Sequence, residues 1–342
     1  MDAPVVLAVD GNSLVHRSFH AMAHTDQPHW AVRGLLTQLV AAVDRIRPSA
    51  VIVGFDDAAR SLRRDRWPGY KANRTQKLPT LVEQLTRAIE VMRELGVAVV
   101  VPDGLEADDV LASAAVFARR AGASTVIVTS DRDAFALIDD STRVLRIING
   151  GVDASPMMTC ERLMMLLGVA PSQYRDFAAL RGDPSDNLPG VRGVGPTTAA
   201  RLLAEFGTAS AAFDDLERVR ARVGAAIATR LAHPDARGAY ELNCRVMAMH
   251  DDVPLELDLA SGTGVLPLGA EVVDAVYRAH NLTWSAGQAV RVLADVEALE
   301  TAPPRPVPLW VESPPRRMSR PSLPRAPRRP VVEQLSLFES VL

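Results

Sequence analysis

Apolar residues follow two rhythms along this chain. In residues 1–150, short and nearly continuous apolar runs rich in Val and Ile fall at 5–9, 50–55, 97–101, 125–129 and 144–148. Apolar runs without alternation predict strands buried on both faces of a parallel sheet. Between them, residues 34–46, 81–95 and 107–119 repeat at helical spacing. The pattern predicts an α/β fold with a mostly parallel central sheet. Residues 157–300 change to a helical pattern: 159–167, opened by Thr159 as a cap, then 173–180, 197–205, 218–231 and 271–277, with no convincing strand. Residues 301–332 hold ten of the 24 prolines and seven arginines. Such a stretch packs no core and predicts an extended linker. Residues 333–342 turn apolar again. The predicted division is an α/β domain at 1–156, a helical domain at 157–300, a linker at 301–332 and a C-terminal peptide.

Composition narrows the class. At 342 residues, 48% of them hydrophobic, the chain has material for two ordinary domains. No apolar run approaches the roughly 18 residues of a membrane span. Met1-Asp2-Ala3-Pro4 has no basic n-region, and the first apolar run ends at Asp10, so no signal peptide is expected. Two cysteines, Cys160 and Cys244, are too few for a disulfide framework or a zinc cluster, which predicts a cytoplasmic protein. The net charge of −3 argues at first against a nucleic-acid partner, but it is uneven: residues 1–300 carry 31 basic and 38 acidic groups. Lysine occurs only at Lys71 and Lys77.

Carboxylates cluster where predicted strands end. Asp10 closes the first run. Asp56 and Asp57 follow the second. Glu106, Asp108 and Asp109 open a helix after the third. Asp131 and Asp133 follow the fourth, and Asp183 and Asp186 stand three apart farther on. In an open parallel sheet, ligands collect at the carboxyl ends of the strands. One acid at a helix start is a cap, but several converging acids repel unless a cation holds them. All-oxygen ligands suit Mg²⁺ or Mn²⁺, and this many acids imply two ions, an arrangement suited to phosphodiester hydrolysis.

Two further segments bear on a phosphate partner. Residues 189–195, Pro-Gly-Val-Arg-Gly-Val-Gly, lack a preceding strand and a following Gly-Lys-Ser/Thr, which excludes the dinucleotide fingerprint and the Walker loop. A tight hairpin between two helices, offering backbone N–H groups to a DNA phosphate, fits instead. Residues 60–77 carry Arg60, Arg63, Arg64, Arg66, Lys71, Arg74 and Lys77, with Trp67 and Tyr70 among them. Cations interleaved with aromatics suit a segment that grips phosphates and stacks on bases.

These stretches resemble the bacterial 5′→3′ exonuclease and flap endonuclease family, from about residue 5 to about residue 290. The matching motifs are Leu7-Ala8-Val9-Asp10-Gly11, Phe55-Asp56, Gly69-Tyr70-Lys71-Ala72-Asn73-Arg74, Glu106-Ala107-Asp108-Asp109-Val110, Ser130-Asp131-Arg132-Asp133, and Gly182-Asp183-Pro184-Ser185-Asp186-Asn187-Leu188-Pro189-Gly190-Val191. The resemblance implies a PIN-like nuclease fold with a helical arch near 60–90. It also implies a helix–three-turn–helix DNA-binding element near 183–206. One metal ion would be held by Asp10, Asp56, Glu106, Asp108 and Asp109, and a second by Asp131, Asp133, Asp183 and Asp186. Lys71 and Arg74 would touch the scissile phosphate. Arg17, Arg63, Tyr70, Arg192, Gly193, Val194, Gly195 and Thr197 would contact DNA, with a monovalent cation at the Gly193–Gly195 hairpin. Relatives commonly carry Glu-Lys where this chain has Pro196-Thr197, which removes one phosphate contact.

The C-terminal Gln334-Leu335-Ser336-Leu337-Phe338 resembles the pentapeptide by which bacterial proteins dock on the sliding clamp. Leu337 and Phe338 would fill an apolar pocket and Gln334 would bond at its edge. Together these readings predict a monomeric, free-standing, metal-dependent 5′→3′ deoxyribonuclease acting on branched or 5′-flap DNA in replication and repair. A PIN-type ribonuclease and a non-catalytic clamp-bound adaptor are the alternatives.

Overall fold

The structure is a computed structural model that describes residues 3–21 and 28–296. The predicted linker and the peptide at 334–338 lie outside the described residues. Strand β1 (Val5–Asp10) leads into α1 (Gly11–Ala21) and α2 (Trp30–Ile46). Next come β2 (Ala50–Gly54), α3 (Leu62–Arg66), α4 (Pro79–Leu95), β3 (Ala98–Val100), α5 (Ala107–Arg120), β4 (Ser124–Thr129), β5 (Thr142–Arg146), α6 (Gly151–Ala154) and β6 (Met157–Met158). The helical part runs α7 (Cys160–Leu167), α8 (Tyr174–Arg181), the short pair β7 (Gly182–Asp183) and β8 (Leu188–Pro189), then α9 (Pro196–Phe206) and α10 (Ala209–Asp214). It ends with α11 (Leu216–Arg222), α12 (Ala225–Leu231), α13 (Pro234–Val246), α14 (Ala270–Ala279) and α15 (Thr283–Leu293). Among the described residues no helix is long and apolar enough to cross a membrane.

The sheet order is β3-β2-β1-β4-β5-β6, parallel except for β6. Continuous apolar runs become strands here because both faces are covered. Val6, Ala8, Ile52 and Ile127 face one core with α5 and helices α7 to α13. Leu7, Val9, Val53 and Val128 face a second core with α1, α2, α4, α14 and α15. Each fully buried aliphatic side chain contributes roughly 1.5–3 kcal/mol. The chain runs outward through β1, β2 and β3, then returns to β4 on the other side of β1. That makes β1/β4 the switch point, where a crevice opens outside the strand ends. Register aligns Asp10 with Gly54 and Val9 with Val128, so the residues after β1, β2 and β4 reach one level.

The five predicted strands and the predicted helices are present, and the differences have local causes. Thr159 caps α7 as expected, its side chain accepting from the Arg162 amide. The single helix expected at 218–231 is two, because Gly224 sits at φ +129° between α11 and α12. The strandless reading of 157–300 misses β6, β7 and β8, each two residues long and too short to show alternation. Helices α14 and α15 cross back to the first half: the Tyr277 hydroxyl donates to the Leu36 carbonyl (2.8 Å), and Val273 and Leu293 sit in the second core. The segment expected to form the arch runs as the five-residue α3, a series of turns through residue 74, and a passage into α4. Helix α4 itself packs on the sheet layer, with Leu81, Ala88, Val91, Met92 and Leu95 buried.

Candidate active site

An open cleft of about 510 Å³ lies at the switch point, walled by Asp10, Asp56, Asp108, Asp131 and Asp183. Each acid is placed by a different element. Asp10 ends β1 and is almost wholly buried; it accepts from the Ser13 amide (2.8 Å) and the Thr129 hydroxyl (2.7 Å). Gly11 must be glycine here, because a Cβ would stand 2.5 Å from the Phe55 ring. Asp56 accepts from the Asn12 side-chain amide and the Ala107 amide (3.0 Å). Its neighbour Asp57 turns away and ties down the loop instead, accepting from the Gly104 (2.8 Å) and Ala59 (2.9 Å) amides.

The pair at 183 and 186 is set by a loop that only glycines permit. A Cβ on Gly182 would stand 2.2 Å from the Gly190 nitrogen, and one on Gly190 would stand 2.2 Å from the Arg181 carbonyl oxygen. This backbone crossing closes the loop and presents Asp183 to the cleft. The loop is stitched to residues 69–74. Lys71 N donates to the Asp186 carbonyl (2.9 Å), Asn73 to the Pro184 carbonyl (2.9 Å), Asn187 to the Gly69 carbonyl (2.8 Å), and Arg74 to the Asp186 carboxylate. Lys71 holds a left-handed backbone at φ 56° to reach this position. Its Nζ donates to Glu106 (3.0 Å). Lys71, Arg74 and Lys77 thus stand on the cleft wall facing the acids.

Crowding raises the acids' proton affinity. Burial, joined by the charges of Asp56 and Asp131, pushes Asp10 up to about 7. Burial, Asp131 and Asp183 push Asp133 up to about 7 as well. Asp108 rises for the same reasons, with Asp131 and Asp10 beside it. Asp186 is raised by burial, opposed by Lys71 and Arg74. Glu106 goes down despite its burial, because Lys71 and Arg63 outweigh the desolvation. Uncompensated carboxylates with raised proton affinity suit a hard dication. Among the described residues, no three of these acids form a ready-made cage around one point.

Several expected site residues do other work. Asp109 is fully buried, and its oxygens are saturated by Arg63 (2.6 and 2.8 Å), the Glu106 amide (2.9 Å) and the His250 amide (2.8 Å). It caps α5 and has no free lone pair aimed at the cleft. Glu106 is likewise engaged by Arg63 (3.1 Å), Tyr70 (2.9 Å) and Lys71. Arg63 and Tyr70, expected to touch DNA, are only 6% exposed and spend their polar groups on this network. Arg17, by contrast, is half-buried on α1 with one guanidinium nitrogen donating to Asn149 (2.9 Å) and no ion pair among the described residues.

At the hairpin, Arg192, Gly193, Gly195 and Thr197 are exposed, whereas the Val194 side chain is buried and its amide donates to the Val191 carbonyl (2.9 Å). The Gly193 carbonyl accepts from the Arg230 guanidinium. That fixed positive charge does not fit a monovalent cation at the same carbonyl.

Sequence reasoning missed Asn12, Ser13 and Thr129, which orient the acids, and His16, which lines the cleft. Burial and the Lys77 charge hold His16 down to about 4, so it is neutral near neutral pH. The only signal for Asn12 and Ser13 was their place directly after Asp10-Gly11.

Residues 5–165 match the family model described as 5′-3′ exonuclease, N-terminal resolvase-like domain, and residues 169–265 match 5′-3′ exonuclease, C-terminal SAM fold. DNA polymerase I of Mycobacterium bovis is 38% identical over 235 residues, covering 67% of this chain and 26% of the polymerase. The thermostable DNA polymerase I of Thermus aquaticus is 38% identical over 259 residues, covering 75% of this chain and 30% of the polymerase. The chain thus spans under a third of the length of these relatives. In fold it is similar to T5 5′-exonuclease with bound zinc (TM-score 0.58, 17% identity, 85% of this chain and 94% of that one). It is similar also to the catalytic core of Rad2 in complex with a DNA substrate (TM-score 0.55, 16% identity, 85% and 92%). With a PIN-like, mostly parallel catalytic sheet and a helical SAM-like part matched in sequence and in order, the chain belongs to the 5′-3′ exonuclease family.

Proposed function

We propose that this chain hydrolyses DNA phosphodiesters at 5′ ends and 5′ flaps, in a cleft that holds two divalent cations, Mg²⁺ or Mn²⁺. The observation that carries this reading is the convergence of five carboxylates at the β1/β4 switch point, faced by Lys71, Arg74 and Lys77. Asp10, Asp56 and Asp108 would hold one cation, and Asp131, Asp133 and Asp183 the other, with Asp186 kept in place by Arg74. When bound, the cations would neutralise the crowded acids and act as Lewis acids on the scissile phosphate.

The chain's own groups do the rest. Lys71 and Arg74 hold the phosphate and stabilise charge developing on it, pre-set by the stitching to the 184–187 loop. Asn12 and Thr129 fix the carboxylates of Asp56 and Asp10. Glu106 and Asp109 act one layer back, holding Lys71 and Arg63. Exposed backbone at Gly193 and Gly195, with Arg192 and Arg230, suits a duplex backbone that is gripped without being read. The peptide at 334–338 would tether the nuclease to the sliding clamp, placing it in replication and repair. The family's polymerase-linked relatives support the DNA reading over an RNA one.

The test is a substrate panel in Mg²⁺: a 5′-flap duplex, a blunt duplex and single-stranded RNA. Fastest cleavage of the flap duplex is expected. Preference for the RNA would replace this reading with the ribonuclease one.

A further inference from the structure

Arg132 and Arg17 both lie within electrostatic reach of Arg146, and none of the three makes an ion pair among the described residues. Arg132 follows Asp131 and lines the cleft. Arg146 ends β5, in register with Thr129 at the end of β4. Arg17 reaches across from α1 to Asn149, three residues beyond Arg146. Lys71, Arg74 and Lys77 on the opposite wall, by contrast, each make an ion pair. The Arg146 Nε is buried and donates to no group of the chain, and the buried Tyr174 hydroxyl near it is likewise unpartnered. Burial, then the charges of Arg132 and Arg17, hold Arg146 below the usual guanidinium range; Asp131 and Tyr174 oppose them.

Like charges gathered with only the Asp131 carboxylate to oppose them are unfavourable, and long exposed side chains ordinarily swing apart to avoid it. Here the sheet end, the Asn149 bond and the cleft wall keep them together. An anion relieves the repulsion, and the guanidinium fork matches phosphate oxygens. We propose that Arg17, Arg132 and Arg146 form a second phosphate subsite, which holds a phosphate of the cleaved strand on the β5 side of the scissile one. This rests on the nuclease reading. The phosphate is either an internal phosphodiester or the 5′-terminal monophosphate.

The experiment measures affinity for a labelled 5′-flap duplex with Ca²⁺ in place of Mg²⁺, across a range of KCl concentrations. It compares the wild type with Arg132→Gln and Arg146→Gln, on flaps ending in 5′-phosphate or 5′-hydroxyl. Each variant is expected to bind about ten-fold more weakly, the loss of one charge-assisted contact. The slope of log affinity against log salt should become shallower by about 0.7–0.9. Equal losses on both flap ends assign the subsite to an internal phosphate, and a loss confined to 5′-phosphorylated flaps assigns it to the terminus. Wild-type affinity and slope in both variants would overturn the subsite while leaving the nuclease reading intact. So would weaker binding at an unchanged slope, which reports packing and not charge. A wild-type chain that bound no flap DNA would overturn both.

Discussion

Asp109 and Asp10 show how two aspartates of similar sequence context come to opposite uses. Asp109 accepts four hydrogen bonds and pairs with buried Arg63, so it is part of the scaffold. Removing one partner of a buried pair leaves an uncompensated charge. Arg63→Ala is therefore expected to destabilise the protein by about 3–5 kcal/mol in denaturant unfolding, whereas Arg192→Ala, on the exposed hairpin, leaves stability unchanged. Equal stability of the two variants would return Arg63 to the DNA surface. Asp10 has the reverse character. Its pKa and that of Asp133 rise from 3.8 to about 7 on folding. Between those values the native state binds more protons than the unfolded chain, so these two groups lower stability as pH rises from about 4 to about 7. A dication needs them ionised. The gain in Tm on adding saturating Mg²⁺ should then be larger at about pH 8 than at about pH 5.5. A gain independent of pH would contradict the placement of these acids at the metal site.

At the scale of elements, the strands were readable because a parallel sheet covered on both sides leaves continuous apolar runs, and the acids at their ends were readable with them. The order β3-β2-β1-β4-β5-β6 was not readable, yet it decides the site, since only the return from β3 to β4 brings Asp131 beside Asp10. Short polar-rich α1 and charge-rich α13 escaped the periodicity because their burial is partial: on α1, Asn12, Ser13 and His16 line the cleft rather than a core. The split of Asp56 from Asp57 was illegible for a similar reason, as it depends on which amide of the 104–107 turn each of the two adjacent side chains meets. The tightest element is the Gly182/Gly190 crossing. Gly190→Ala forces a Cβ against the Arg181 carbonyl, and is expected to cost about 1–3 kcal/mol of stability and to lower cleavage further, because it displaces Asp183. Cleavage at the wild-type rate by a folded Gly190→Ala protein would mean the loop does not carry a working acid.

For the whole molecule, the average charge of −3 misleads. Acids concentrate in one cleft, and cations face them from residues 71–77 and from Arg132 and Arg181. Bound dications would convert the cleft from a repulsive to an attractive surface for phosphate. The proposed docking peptide at 334–338 is separate from the cleft in sequence. Deleting residues 333–342 is expected to abolish binding to the sliding clamp while leaving intrinsic flap cleavage unchanged; undiminished clamp affinity would remove the docking role. The central claim is that the carboxylate cleft at the β1/β4 switch point is the nuclease centre. Its most direct test is the single-turnover cleavage rate of a 5′-flap duplex in Mg²⁺ by the wild type, Asp10→Asn and Asp131→Ala. Cleavage near the branch by the wild type is expected, with a loss on the order of 100-fold or more in each variant. Wild-type rates in either variant would contradict it.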